Sequence, residues 1–409
     1  MNNLGRDLVA KHLAKGVTEG AASEPGTRTP HALRDVVLFF LRLGFTAFGG
    51  PAAHIAMMEE EVVRRRGWLG REQFLDLLGA TNLIPGPNST EMAIFIGYQR
   101  AGWPGLVLGG TCFILPAALI TLVLAWAYVR FGTLPQVSAL LYGVKPIIIA
   151  IVVQALWGLG RTAVKSWMLA VLAVLAVAAS FAGLTPLVVL VGAGLLAMAA
   201  RVASKASKPN LRGIFGPGVV LFGPASAAAA GVVAPVSLAG LFLVFLKVGA
   251  VLYGSGYVLL AFLRGDLVEH WHWLTEAQLL DAVAVGQVTP GPVFTTATFI
   301  GYLLHGGSGA AIATLGIFLP SFVFVALSSR FVPRLRRSRA AGAFLDGVNV
   351  AALALIVTVT WYLGRSAIVD TVTASLTVLA TLFLLRYRVN SAWLVLAGAI
   401  IGIGKWWLR

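Results

Sequence analysis

Twelve apolar segments follow one another along this chain with only short polar breaks between them. They run over 36–56, 74–98, 103–130, 140–160, 167–182 and 186–200, and again over 238–263, 277–303, 309–331, 344–363, 367–385 and 392–407. About 20 apolar residues in a helix cross the ~30 Å hydrocarbon layer of a bilayer. The segments are continuously apolar and rich in Gly and Ala, whereas the strands of a membrane barrel would alternate, so they predict helices. The uncharged stretch 217–235 reads as either a thirteenth crossing or a surface helix. Charged residues make up only 11% of the 409 positions, against about 25% in soluble domains, too few to cover a water-facing surface. The fold class is therefore an all-α polytopic membrane protein with about 12–13 membrane segments. The net charge of +15 fits Lys and Arg anchoring cytoplasmic loops. These residues are scattered between apolar spans, which argues against nucleic acid as a partner. The single cysteine, Cys112, excludes a disulfide and a cysteine metal cluster.

The chain repeats itself. Phe40-Leu41-Arg42-Leu43-Gly44 returns as Phe245-Leu246-Lys247-Val248-Gly249, Trp68-Leu69 as Trp273-Leu274, Asp76 as Asp281, and Pro85-Gly86-Pro87 as Pro290-Gly291-Pro292, all at an offset of 205. The offset then drops to 204: Gly97-Tyr98 matches Gly301-Tyr302, Leu115-Pro116 matches Leu319-Pro320, and Gly160-Arg161 matches Gly364-Arg365. This divides the chain into a polar tail (1–32), a first membrane repeat (33–205), a linker (206–237) and a second repeat (238–409). Internal duplication of this kind is characteristic of transporter folds. The loop Arg330–Arg339 carries five Arg and no acid, while its counterpart 131–139 has no charge. Equivalent loops then lie on opposite sides, and the halves read as an inverted repeat.

Several residues interrupt the apolar pattern where chemistry could sit. Pro85-Gly86-Pro87 should stop the helix that begins near Phe74 after about half a membrane thickness. Asn88, Ser89 and Thr90 then supply capping side chains for a second half-helix beginning near Glu91. Broken backbone inside a bilayer is tolerated where it is buried in protein or lines a cavity, and a half-helix N-terminus attracts anions. Thr289-Pro290-Gly291-Pro292 and Thr295-Thr296 repeat the device. Phe48-Gly49-Gly50-Pro51 and its partner Tyr253-Gly254-Ser255-Gly256 are second breaks, serving either close helix packing or substrate. Arg42 and Lys247 are matched cations within apolar segments, expected to face inward toward an anion or to snorkel to headgroups. Lys145 is a third cation, matched by Asn349. Asn82 precedes the first Pro-Gly-Pro and becomes Gln287 in the second half. Glu91, Asp76 and His54 are the candidates for carrying a proton; for the acids, helix capping is the competing reading. No nucleotide loop, metalloprotease, paired-cysteine or nucleophile-elbow motif is present. No catalytic residue, metal or cofactor is therefore expected, and transport would be passive or driven by an ion gradient.

Phe40-Leu41-Arg42-Leu43-Gly44 through Phe48-Gly49-Gly50-Pro51, then Trp68 and Asn82-x-x-Pro85-Gly86-Pro87-Asn88-Ser89-Thr90, resemble the chromate ion transporter (CHR) family in its long-chain, two-domain form. The resemblance covers both halves. It implies export of chromate, a tetrahedral dianion shaped like sulfate, across the cell inner membrane, coupled to the proton motive force. It also implies roles for Arg42, Gly49, Gly50, Pro51, Trp68, Asn82, Pro85, Gly86 and Pro87. The partners expected are a chromate or sulfate-like oxyanion, protons and the lipid bilayer, with a homodimer as an admissible assembly. Glu91 becomes Thr296 and Pro51 becomes Gly256 in the second half, so the two halves are expected to play unequal roles.

Overall fold

The computed structural model describes residues 31–203, 236–253, 256–336, 339–387 and 391–408. The tail before residue 31, nearly all of the linker, Gly254, Ser255, Arg388 and the side chains of 329–339 lie outside the described residues. Among the described residues every regular element is helical. The first half supplies α1 (Ala32–Thr46), α2 (Gly50–Glu59), α3 (Arg71–Thr81), α4 (Asn88–Phe131), α5 (Pro135–Ala163), α6 (Trp167–Phe181) and α7 (Pro186–Ala203). The second supplies α8 (Leu238–Val251), α9 (Val258–Leu263), α10 (Glu276–Val288), α11 (Thr296–Arg336), α12 (Arg339–Ala367), α13 (Thr371–Tyr387) and α14 (Ser391–Trp407). Each helix has a counterpart in the other half, and so do the π-helical turns Glu60–Arg65 and Arg264–His270.

Four stretches are long and apolar enough to cross a membrane: Asn88–Phe131, Pro135–Ala163, Val293–Ser328 and Ala340–Ala367. Shorter apolar stretches of 10–17 residues fall in α6, α7, α8, α13 and α14. The apolar segments 74–98 and 277–303 are not single helices. Each is cut at its Pro-Gly-Pro, where proline withholds a donor and disfavours helix before it. The cut leaves α3 and α10 with 11 and 13 residues. At 1.5 Å per residue these are about 17 and 20 Å long, short of the ~30 Å layer. The helices that follow bend at matched positions, Ala101-Gly102 and His305-Gly306, where the glycines take φ of 64° and 60°.

The structure also accounts for the one-residue slip in the repeat. After Pro87 the chain enters α-helix directly, but after Pro292 it makes a 3₁₀ turn over Val293–Thr295. At about 2.0 Å rise, three 3₁₀ residues cover about 6 Å, as do four α residues at 1.5 Å. The second half therefore spans the same distance with one residue fewer.

The halves interlace. α1 packs on α4 and α8 on α11 within their own halves, but α6 and α7 pack on α12 while α13 and α14 pack on α5. The pairs α4–α11 and α5–α12 meet along the middle. This reciprocity describes a pseudo-two-fold relation, consistent with the inverted repeat. Lipid supplies no hydrophobic drive between helices, so they associate through close backbone approach at small residues. At the α5–α14 crossing a Cβ on Gly143 would overlap the Gly398 carbonyl, so a larger residue there would force the helices apart.

Candidate functional site

Each Pro-Gly-Pro loop is tied to the other half. The Gly86 amide donates to the Leu252 carbonyl at 2.8 Å, and the Gly291 amide donates to the Ala47 carbonyl at 2.8 Å. Gly86 and Gly291 are repeat partners, as are Ala47 and Leu252, so these are one joint made twice. Ala47 and Leu252 cap the C-termini of α1 and α8, where carbonyls lack helical partners. Gly86 (φ +139°) and Gly291 (φ +85°) occupy backbone conformations that favour glycine. The Ala47 carbonyl also accepts from His54 Nε2 at 3.1 Å, and the buried His54 ring lies edge-on to Phe113.

The two loops converge on one cavity of about 720 Å³. Gly49, Gly50 and Pro51 at the start of α2 line it, as do Asn82, Pro87, Asn88 and Ser89 of the first loop and Pro292, Val293 and Phe294 of the second. Its flanks are the C-terminal part of α5, including Gln154 and Thr162, Lys165 in the break that follows, and the N-terminal part of α12, including Asp346 and Asn349. The two loops contribute unequally: Asn88 and Ser89 face it from the first, Val293 and Phe294 from the second. Asn88 Nδ2 donates to Asn82 Oδ1 at 2.8 Å, which fixes both amides at the wall. The first amides bonded within α4 are those of Thr90 and Glu91, both to the Pro87 carbonyl at 2.8 and 3.0 Å. The amides of Asn88 and Ser89 thus stand at the positive end of the helix dipole. Lys165 spans the mouth to Asp346 at 2.8 Å, its side chain 64% exposed. A second hollow of about 400 Å³ between α4 and α11 is lined by Leu115, Leu119, Leu315 and Leu319 and carries no charged side chain. Its polar side chains are Thr111, Thr298 and Thr314, the last two hydrogen-bonded to each other.

The remaining residues singled out from sequence sit elsewhere. Arg42 is exposed on α1 and does not line the cavity. That helix buries Val36, Phe39, Phe40 and Leu43, which turns Arg42 away and gives no inward-facing guanidinium. Lys247 is paired with Asp266 at 2.6 Å, also off the cavity. Asp76 is exposed on α3, while its partner Asp281 is buried and bonded to Lys145 at 3.0 Å and to the Tyr128 hydroxyl at 2.9 Å. Neither acid begins its helix: Gln73 and Gln278 accept the amides of Gly70 and Thr275 there. Thr289 and Thr295 are buried and donate to the Gly286 and Pro292 carbonyls at 3.3 and 2.9 Å. Pro85 and Pro290 frame the joints, Pro290 buried and Pro85 half-buried. Glu91 and Thr90 are fully buried behind the first loop. Sequence reasoning missed Lys165, Gln154 and Asn349 as cavity residues. Lys165 lies in the short break before α6, and its partner Val369 gives no matching signal.

Comparison with known proteins gives a consistent result. The family model described as Chromate transporter matches residues 34–198 and 239–403. The chain is 33% identical over 388 residues to a chromate transport protein of Cupriavidus metallidurans, covering 94% of this chain and 96% of that one. It is 30% identical to a probable chromate transport protein of Synechococcus elongatus, covering 92% and 96%. An uncharacterized transporter of Bacillus subtilis is 32% identical over 135 residues, which is 32% of this chain but 76% of its own length. No solved structure matches the chain.

Proposed function

This chain belongs to the chromate transporter family, and we propose that it exports chromate across the cell inner membrane, driven by the proton motive force. One observation carries the reading. Two broken helices, one from each half, meet at a single cavity whose polar wall presents helix-start amides, Asn82, Asn88, Ser89 and one cation, Lys165. Such a wall offers donors and positive potential and no unpaired acid, which suits a tetrahedral dianion. Gly49, Gly50, Pro85, Gly86 and Pro87 shape the backbone so that it can approach the anion, and Pro290, Gly291 and Pro292 do so from the other side. Thr289 and Thr295 brace the second loop. Arg42 and Lys247 act from outside the cavity, as surface cations. Asp346, paired with Lys165, competes with the anion for it, so anion entry exchanges one partner of Lys165 for another.

The chemistry of the wall reads charge and tetrahedral shape, which sulfate shares, so a carrier or channel for sulfate is the second reading. Inside-out vesicles separate the two. Chromate should accumulate, an uncoupler should abolish the accumulation, and excess sulfate should compete through the charge and shape it shares. Sulfate uptake with no chromate uptake would reverse the assignment, and uptake indifferent to the uncoupler would overturn the coupling to the proton motive force.

A further inference from the structure

Glu91 is fully buried at the start of α4, and neither carboxyl oxygen has a hydrogen-bond partner. Two hydroxyls share that condition close by, Thr90 Oγ1 on the same turn and Ser321 Oγ on α11 of the other half. Glu91 and Ser321 converge on Gly86. A Cβ on that glycine would overlap Glu91 Oε1 and lie 2.8 Å from Ser321 Oγ. The Gly86 amide is the one that bonds Leu252, so this acid rests against a joint between the halves.

The repeat supplies an internal control. At the other joint the slip lets Thr295 or Thr296 stand opposite Glu91, and both hydroxyls are bonded, to the Pro292 and Val293 carbonyls at 2.9 and 2.8 Å. Ala117 stands where Ser321 would be, and a Cβ on Gly291 would lie 2.7 Å from its methyl. The backbone joint is the same, yet only the first copy holds buried, unbonded oxygens. Packing alone does not require them, since the second copy is built without them.

We propose that Glu91 carries the proton of the transport cycle, with Ser321 of the opposite half accepting the hydrogen bond of its acid form. The inference rests on the proposed transport function. Burying a carboxylate charge that no cation compensates is costly, and a single neutral hydroxyl does not offset it, whereas the neutral acid carries no charge and has one hydrogen to donate to the Ser321 hydroxyl. Among the described residues no cation pairs with Glu91: Arg34 on α1 and Arg71 on α3 are exposed, and the buried His54 of α2 gives its Nε2 hydrogen to the Ala47 carbonyl. Tyr253 is within electrostatic reach. On α1, Arg42 is exposed and Asp35 half-buried; on α3, Glu72 and Asp76 are exposed; α11 contributes Ser321. A negative charge on Glu91 would lie directly behind Pro87, Asn88 and Ser89, which wall the cavity. It would oppose a dianion there, so proton and anion bind cooperatively. One proton carried with one dianion leaves a net charge of −1. An inside-negative membrane potential drives that charge outward while the proton leaves against its own concentration gradient, so the electrical component of the proton motive force alone drives the step.

The test is equilibrium binding of chromate, and separately of sulfate, to the purified full chain in nanodiscs as a function of pH. Wild-type affinity should fall as pH rises, by roughly tenfold per unit once Glu91 loses its proton. Glu91→Gln should bind as the wild type does at low pH, with that fall removed. The difference between the two curves cancels the titration of chromate itself. Ser321→Ala should move the fall to lower pH, because the acid form loses its acceptor. Glu91→Thr, which copies the second half, serves if the Gln variant does not fold. An unaltered slope in both folded Glu91 variants would overturn the inference, as would an affinity that follows sodium concentration instead of pH. Absence of anion binding at every pH by the folded wild type would instead overturn the transport reading itself.

Discussion

The α5–α12 pair is open at one end and closed at the other, although the repeat makes the two ends equivalent. At the open end Ala155, Leu159, Ala352, Leu353 and Ile356 line the cavity. Their partners Val359, Leu363, Ile148, Ile149 and Val152 are buried in the core, each no more than 4% exposed. Asp346 and Asn349 at the open end correspond to Tyr142 and Lys145 at the closed one. There Tyr142 donates to Asp370 and Lys145 pairs with Asp281, both across the halves. One fold has thus been packed in two ways within a single chain. Bonds between the halves at one end keep it shut, and among the described residues the ion pair that spans the other end is the more exposed Lys165–Asp346 pair. A transporter that alternates needs two arrangements of about equal standing, and a duplicated architecture provides them.

The largest expected effect is on the closed end. Asp281→Ala strands the Lys145 ammonium in a mostly buried site and should cost about 3–5 kcal/mol of stability. Asp346→Ala at the open end should cost about 0–1 kcal/mol. Thermal unfolding in detergent compares them, and equal losses would remove the distinction between the ends. Lys165→Ala should leave stability nearly unchanged yet weaken chromate binding by tenfold or more, since charge-assisted hydrogen bonds contribute about 1.5–3 kcal/mol. Unchanged affinity would take Lys165 out of the site.

The joints sharpen the comparison further. Gly291→Ala meets the Ala117 methyl and an unfavourable φ, so it should reduce transport and cost about 1–3 kcal/mol. Adding Ala117→Gly should recover part of that loss. Gly86→Ala meets Glu91 and Ser321 instead, and Ala117→Gly should not help it. Rescue of both by the same change would mean that the two joints are chemically alike.

Much of this was legible in the sequence, and the physical reasons are specific. Two Pro-Gly-Pro runs at one offset reveal broken helices because proline acts on its own backbone. The repeat itself survives as matched glycines and aromatics. The direction in which Arg42 points was not legible, because it depends on which face of α1 meets α4. Nor was the pairing of Lys145 with Asp281, which joins residues 136 positions apart through a packing that interlaces the halves. The cavity role of Lys165 was hidden for a related reason. Its partner Val369 breaks the repeat, and repeat matching finds only what the halves share.

Smaller effects follow from the surface cations. Arg42→Lys should transport as the wild type does, because an exposed cation off the cavity needs charge and not a planar fork. Lys247→Ala should cost about 0–1 kcal/mol through loss of its partly exposed pair with Asp266. A strong loss of anion affinity in Arg42→Lys would place that guanidinium in the pathway after all. The smallest effect concerns Asp370 in the break between α12 and α13. The Lys405 ammonium and the Tyr142 hydroxyl, both hydrogen-bonded to it, hold its carboxyl well below the usual carboxylate range. A depressed carboxyl stabilises above the ordinary Asp value of about 3.9 and loses that contribution as pH falls below it. Asp370→Asn should therefore lower Tm slightly at neutral pH, and the gap from wild type should close in acid.

The central claim is that the anion passes through the cavity where the two broken helices meet. Ser89 lies on its wall, and the single native cysteine can be removed as Cys112→Ser. In that background Ser89→Cys should react with a small, membrane-impermeant thiol reagent in inside-out or right-side-out vesicles, and chromate should slow the reaction over the same concentration range that saturates transport. Labelling at an unchanged rate while chromate saturates transport would place the pathway somewhere else in the protein.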